Sequence, residues 1–98
     1  MSLELCEFKS SRVGKLLLYI NDEQYPDILG VLELYRLKSG IVIDQYSDTK
    51  LSSGLNILIT CALEAINSST GSKQIQQEFL SVLQAAESEN KSIIFLGE

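Results

Sequence analysis

"LELCEFKSSRVGKLLLYI", from Leu3 to Ile20, holds two strand-like runs around a turn. In residues 3–8, Leu3 and Leu5 alternate with Glu4 and Cys6, the period of a short, half-buried strand. Residues 15–20, "KLLLYI", are a short continuous apolar run that fits a buried strand. Between them "SSRVG" (10–14) is turn-like, with Gly14 as its punctuation. Two such runs joined so closely read as an antiparallel hairpin. This hairpin decides the fold class, because the residues that follow change period.

From Asn21 to Gly40 the apolar side chains fall at 28, 31, 32 and 35, and again at 29 and 37, which is helical spacing with a wide apolar face. Pro26 suits a first helical turn, where its missing N–H is not needed. Asp22, Glu23 and Asp27 crowd the helix start, Arg36 and Lys38 its end, and both sets complement the helix dipole. Gly40 is a natural stop, and Gly30 is a place where another element can come close. "IVIDQY" (41–46) is short and β-branched, so it reads as a strand, with "SDTKLSS" after it as a loop. "GLNILITCALEAIN" (54–67) is apolar on nearly every side and reads as the central, most buried helix, capped by Ser52 or Ser53. Its Ile and Thr residues leave a strand reading open.

"SSTGS" (68–72) is a loop. In 73–90, Ile75, Phe79, Val82, Leu83 and Ala86 repeat at the spacing of a one-faced helix. "SIIFLGE" (92–98) closes the chain as a strand. The expected order is β-β-α-β-α-α-β over 1–98: an α+β single domain, a small and mostly antiparallel sheet packed against about three helices.

The chain carries a net charge of −5, unevenly spread: +1 over residues 1–20, −4 over 21–66 and −2 over 67–98. An acidic domain repels phosphate backbones, so no nucleic-acid ligand is expected. Acidity suits a basic protein partner. Cys6 and Cys61 stand far apart among apolar residues and read as small core residues. No basic stretch leading into an apolar one opens the chain, so no signal peptide is expected, and no apolar run approaches the roughly 20 residues of a membrane span. The expected setting is the cytoplasm, with no membrane association.

The sequence contains no histidine, and the two cysteines cannot supply a zinc ligand set. It has no phosphate-binding glycine loop, no dinucleotide fingerprint and no nucleophile elbow. What remains for chemistry is carboxylates, above all Asp44 and Asp48, four residues apart with Tyr46 between them. A calcium loop starting at Asp44 fails, because Tyr46 and Thr49 fall where an oxygen ligand and glycine are needed. An acid–base pair needs one carboxyl in an apolar pocket, for which a domain this small has little space. No cofactor, no metal and no enzymatic activity are expected.

A docking surface fits these residues better. Tyrosine is stiff and amphipathic, the kind of side chain that anchors interfaces. Asp44 and Asp48 flank Tyr46, and Asp22, Glu23, Asp27 and Glu33 add acid nearby in sequence. Each has a local alternative: Asp48 bonding its own backbone, Tyr46 buried with only its hydroxyl out, Asp22 capping the first helix.

The stretch Asp44, Tyr46, Asp48, Thr49 and Leu51, a "D-x-Y-x-D-T-x-L" loop before an apolar helix, resembles small immunity proteins of bacterial contact-dependent inhibition and related polymorphic toxin systems. The resemblance implies a role and no particular fold. The partner would be a cognate toxin C-terminal domain, a basic nuclease, neutralised in the cytoplasm by an acidic surface over its active site or substrate cleft. Asp44, Tyr46 and Asp48 would be the first contacts, then Asp22, Glu23, Asp27 and Glu33. The other reading is an adaptor or self-associating structural subunit, using helix 54–67 or strand 92–98; a monomer is the expected state.

Overall fold

The computed structural model describes residues 2–68 and 74–97, so most of the expected loop 68–72 lies outside the described residues. Strand β1 (Leu3–Lys9) pairs antiparallel with β2 (Arg12–Ile20) as the hairpin reading requires. The reversal is made by Ser10 and Ser11 at φ 55° and 61°. Positive φ at both central residues is what a tight hairpin turn demands, and serine adopts it at some cost in strain. Gly14 is therefore not the turn residue. It lies within β2, where an added Cβ would sit 3.3 Å from the Glu7 carbonyl oxygen.

Two register shifts, between Leu5 and Cys6 and between Cys6 and Phe8, put extra residues into β2. A bulge turns the following side chains to the other face. For that reason "KLLLYI" is not a buried run. Ile20 is buried, Leu17 and Leu18 are half-buried, and Leu16 and Tyr19 stand about half exposed on an edge strand.

Helix α1 (Tyr25–Ser39) follows, with Pro26 in its first turn. Its N-terminus is closed by a reciprocal pair: Asn21 Oδ1 accepts from the Gln24 N–H at 2.9 Å, and Gln24 Oε1 accepts from the Asn21 N–H at 3.1 Å. Asn21, rather than Asp22, thus holds this end. Gly40 stops the helix in the left-handed region at φ 78°. Among the described residues nothing comes within 4 Å of where a Gly30 Cβ would sit, so none of their elements packs closely there.

The strand expected at 41–46 does not form. The strand in this region is β3, Thr49–Leu51, inside the segment expected to be a loop. Its residues pair with β4 (Ser92–Gly97), Leu51 opposite Ile93 and Thr49 opposite Phe95. With 49–51 paired to β4, residues 41–46 stay outside the ladder. Helix α2 (Leu55–Ser68) follows Gly54, which stands at φ 79° directly before it, where a serine cap was expected. α2 lies between α1 and α3 but is not wrapped on all sides: Leu55, Leu58, Cys61 and Ala62 are buried while Ile57 and Leu63 are exposed.

Helix α3 (Gln74–Ser88) buries Ile75, Phe79, Leu83 and Ala86 as its spacing predicts. It ends at Asn90, φ 54°, with the Lys91 N–H donating back to the Ala86 carbonyl at 2.8 Å. The sheet order is β2-β1-β4-β3, antiparallel throughout. Strand β4 is therefore an interior strand and offers no free edge for self-association. One face of the sheet, carrying Leu3, Leu5, Ile20, Leu51, Ile93 and Phe95, packs against the helices in a single core. Phe79 of α3 meets Phe95 there with ring centroids 6.4 Å apart. The result is the expected α+β domain, with three helices and four strands among the described residues.

Candidate functional site

The 40–48 connection runs from the end of α1 to β3, and Ile43 is its buried apolar anchor. Asp44 Oδ1 accepts from the backbone N–H of Tyr46 at 2.9 Å, from the N–H of Ser47 at 3.1 Å and from the Ser47 hydroxyl at 3.1 Å. This is an aspartate closing a turn with its own side chain. Asp48 Oδ1 accepts from the Gly97 N–H of β4 at 3.2 Å. The Thr49 hydroxyl donates to the Val42 carbonyl at 3.3 Å across the mouth of the loop. Asp44 and Asp48 are thus turned toward backbone, and neither pairs with the other as an acid–base couple.

Gly97 is the floor on which the loop rests. A Cβ at that position would fall 2.6 Å from the Gln45 carbonyl carbon and 2.8 Å from the Ser47 nitrogen. Only a glycine lets the backbone of 45–47 sit this close to β4. Nothing local in the sequence marks this contact, since Gly97 is 49 residues from Asp48.

With its backbone held, the loop presents Tyr46 to solvent at 74% exposure. Asp22 joins from the β2–α1 connection, its Oδ1 accepting from Gln45 Nε2 at 3.4 Å. Tyr25, in the first turn of α1, is half-buried behind them. Burial pushes its hydroxyl above the ordinary tyrosine range, and the carboxylates of Asp44 and Glu33 push it further. Tyr25 is therefore the neutral, hydrogen-bond-capable neighbour of an acidic loop.

The other expected residues divide. Glu23 is exposed beside Asp22. Glu33 is exposed but engaged by Arg36 at 3.1 Å, a helix surface pair of small energetic weight. Asp27 does not belong to the group. Two residues on from Tyr25, it is turned about 200° round the helix. It lines an open cleft of about 510 Å³ between α1 and α2 with Glu64 and Gln76, and its carbonyl accepts from Gln76 Nε2 at 2.8 Å. The structure thus gathers Asp22, Tyr25, Asp44, Tyr46 and Asp48, with Glu33 at the margin.

Cys6 and Cys61 are free and buried, and burial raises both thiols above their ordinary range. Among the described residues no three potential metal ligands come together, and no helix is long and apolar enough to cross a membrane. No family model, curated protein or solved structure matches this chain.

Proposed function

We propose that this chain is an immunity protein, binding a cognate toxin domain through the Tyr46 loop and the acidic residues around it. One observation carries the reading: a tyrosine stands 74% exposed at the tip of a loop whose backbone is fixed by Asp44 and Asp48. A large apolar side chain left in water on a pre-formed loop loses little conformational freedom when a partner covers it. Asp22, Glu23 and the carboxylates of Asp44 and Asp48 rim the tyrosine with acidic side chains, a source of negative potential. A basic nuclease domain fits that rim, and covering its substrate cleft would exclude RNA or DNA both sterically and by charge.

The test is titration calorimetry of the purified chain against the toxin domain encoded next to it, at low and high salt. Tight binding is expected, falling steeply with salt. Asp22→Lys with Glu23→Lys should slow association and weaken the complex at least tenfold. A complex indifferent to salt and to both reversals would overturn the electrostatic mechanism. Absence of any complex would overturn the role.

A further inference from the structure

The four-stranded sheet has helices on one face only. Among the described residues no element covers the other face. The pairing fixes which side chains point there: Phe8 beside Val13, Cys6 beside Leu16 and Ile94, and Glu4 between Tyr19 and Leu96. An antiparallel sheet with a solvated face ordinarily turns polar residues outward. Here Val13, Leu16 and Tyr19 are 50%, 49% and 48% exposed, and Phe8, Ile94 and Leu96 continue the apolar surface across β1 and β4. Contiguous apolar surface of this kind marks an interaction site.

We infer that this face joins two copies of the chain, sheet against sheet. Charge argues for a second copy. The whole chain carries −5, yet the strand residues on this face include one acid, Glu4, and one base, Lys50, whose ammonium lies 4.9 Å from the Phe8 ring centre, and Asp48 borders the face just before β3. A neutral face with one charge of each sign lets two copies meet without the repulsion that their acidic surfaces would impose elsewhere. A two-fold arrangement can set Glu4 of one copy toward Lys50 of the other. Area sets the strength. Six residues each of β2, β1 and β4 with the three of β3 cover roughly 340 Å² at ordinary strand spacing. That footprint is under half of the ~800 Å² per partner of a standard interface. The association is therefore weak and dependent on concentration, a closed dimer of two sandwiched sheets. It uses none of the side chains of the Tyr46 loop.

Sedimentation equilibrium of the full chain over a micromolar to submillimolar series tests this. Wild type should move from the monomer to the dimer mass and no further. Leu16→Glu on β2 and Leu96→Lys on β4 should each raise the dissociation constant at least tenfold, with circular dichroism unchanged. Leu96→Lys stands beside Glu4, which favours its folding. Tyr46→Ala should leave the dimer intact. A monomer throughout the series overturns the inference, as does growth beyond two copies, the mark of open-ended pairing. A dimer sensitive to Leu16→Glu but not to Leu96→Lys would be pairing along the β2 edge and would overturn it too.

Discussion

Leu3, Leu5 and Ile20 seat the β1–β2 hairpin by complete burial, whereas the 44–48 turn, beyond the single buried anchor Ile43, is seated by hydrogen bonds that Asp44 and Asp48 accept and by close backbone contact with Gly97. A fully buried leucine contributes about 1.5–3 kcal/mol by transfer alone. A hydrogen bond that replaces one to water contributes about 0.5–1.5 kcal/mol. The hairpin is therefore part of the cooperative core, and the loop is a light attachment to it. What the difference teaches is that an exposed turn can be fixed in shape with only one flanking side chain, Ile43, set into the core. Its stability and its recognition are then separable by substitution.

The largest effect belongs to the hairpin. Leu5→Ala removes a fully buried side chain from the centre of the sheet and leaves a cavity against the helices. It should cost about 2–5 kcal/mol. In thermal unfolding followed by circular dichroism, a domain of this size should lose more than about 10 °C in Tm. A loss as small as that from any loop substitution would erase the contrast between the two regions.

Gly97→Ala comes next and attacks the loop from beneath. The added methyl would overlap the backbone of Gln45 and Ser47, which cannot swing aside as a side chain can. The loop or the end of β4 must shift, at about 1–3 kcal/mol. Amide hydrogen exchange should rise at Tyr46 and Ser47, whose N–H groups Asp44 holds, while β1 keeps its protection. Protection lost equally in β1 would mean that the loop and the core unfold as one unit.

How much of this could be read in the sequence follows the same division. The hairpin, α1 and α3 are written in local patterns: alternation at Leu3 and Leu5, the Pro26 and Gly40 punctuation, the repeat from Ile75 to Ala86. The 41–51 segment is not, because "IVI" has strand propensity as strong as "TKL". What decides between them is which one reaches the free edge of β4, a contact more than forty residues away in the chain. The same distance hides the roles of Asp48 and Gly97. Asp44, Tyr46 and Asp48 are visible as a group, but their spacing does not say that the acids turn inward and the tyrosine outward. The open sheet face is hidden for another reason. The bulges in β2 break the two-residue period, so Val13, Leu16 and Tyr19 share a face at a spacing of three.

Asp44→Ala strips three hydrogen bonds from one carboxylate oxygen while leaving Ile43 and the Gly97 contact in place. The freed donors lie near solvent and water can satisfy them. The cost should resemble the loss of a helix cap, about 1 kcal/mol, or a Tm lowered by roughly 4–8 °C. Asp44→Asn retains an acceptor at the same place and should recover most of that stability without the charge. On the proposed reading, any loss of toxin binding in Asp44→Asn then measures the charge alone. If both variants unfold like wild type, the side chain does not hold the turn.

Tyr46→Ala should barely register in stability, and there the contrast is sharpest. The ring is 74% exposed, and among the described residues the turn is held by bonds from the Tyr46 and Ser47 N–H groups and the Ser47 hydroxyl, with none from the Tyr46 hydroxyl. Surface changes of this kind usually fall within about 0.5 kcal/mol. Alanine keeps the N–H that Asp44 accepts, so the loop retains its shape. On the reading proposed above, the same substitution removes the anchor and should weaken the toxin complex more than any single acidic residue does, by tenfold or more. Unfolding and calorimetry on this one variant pull the two properties apart. A clear fall in Tm would make Tyr46 a structural residue. An unchanged affinity would leave the acidic rim as the whole of the binding surface.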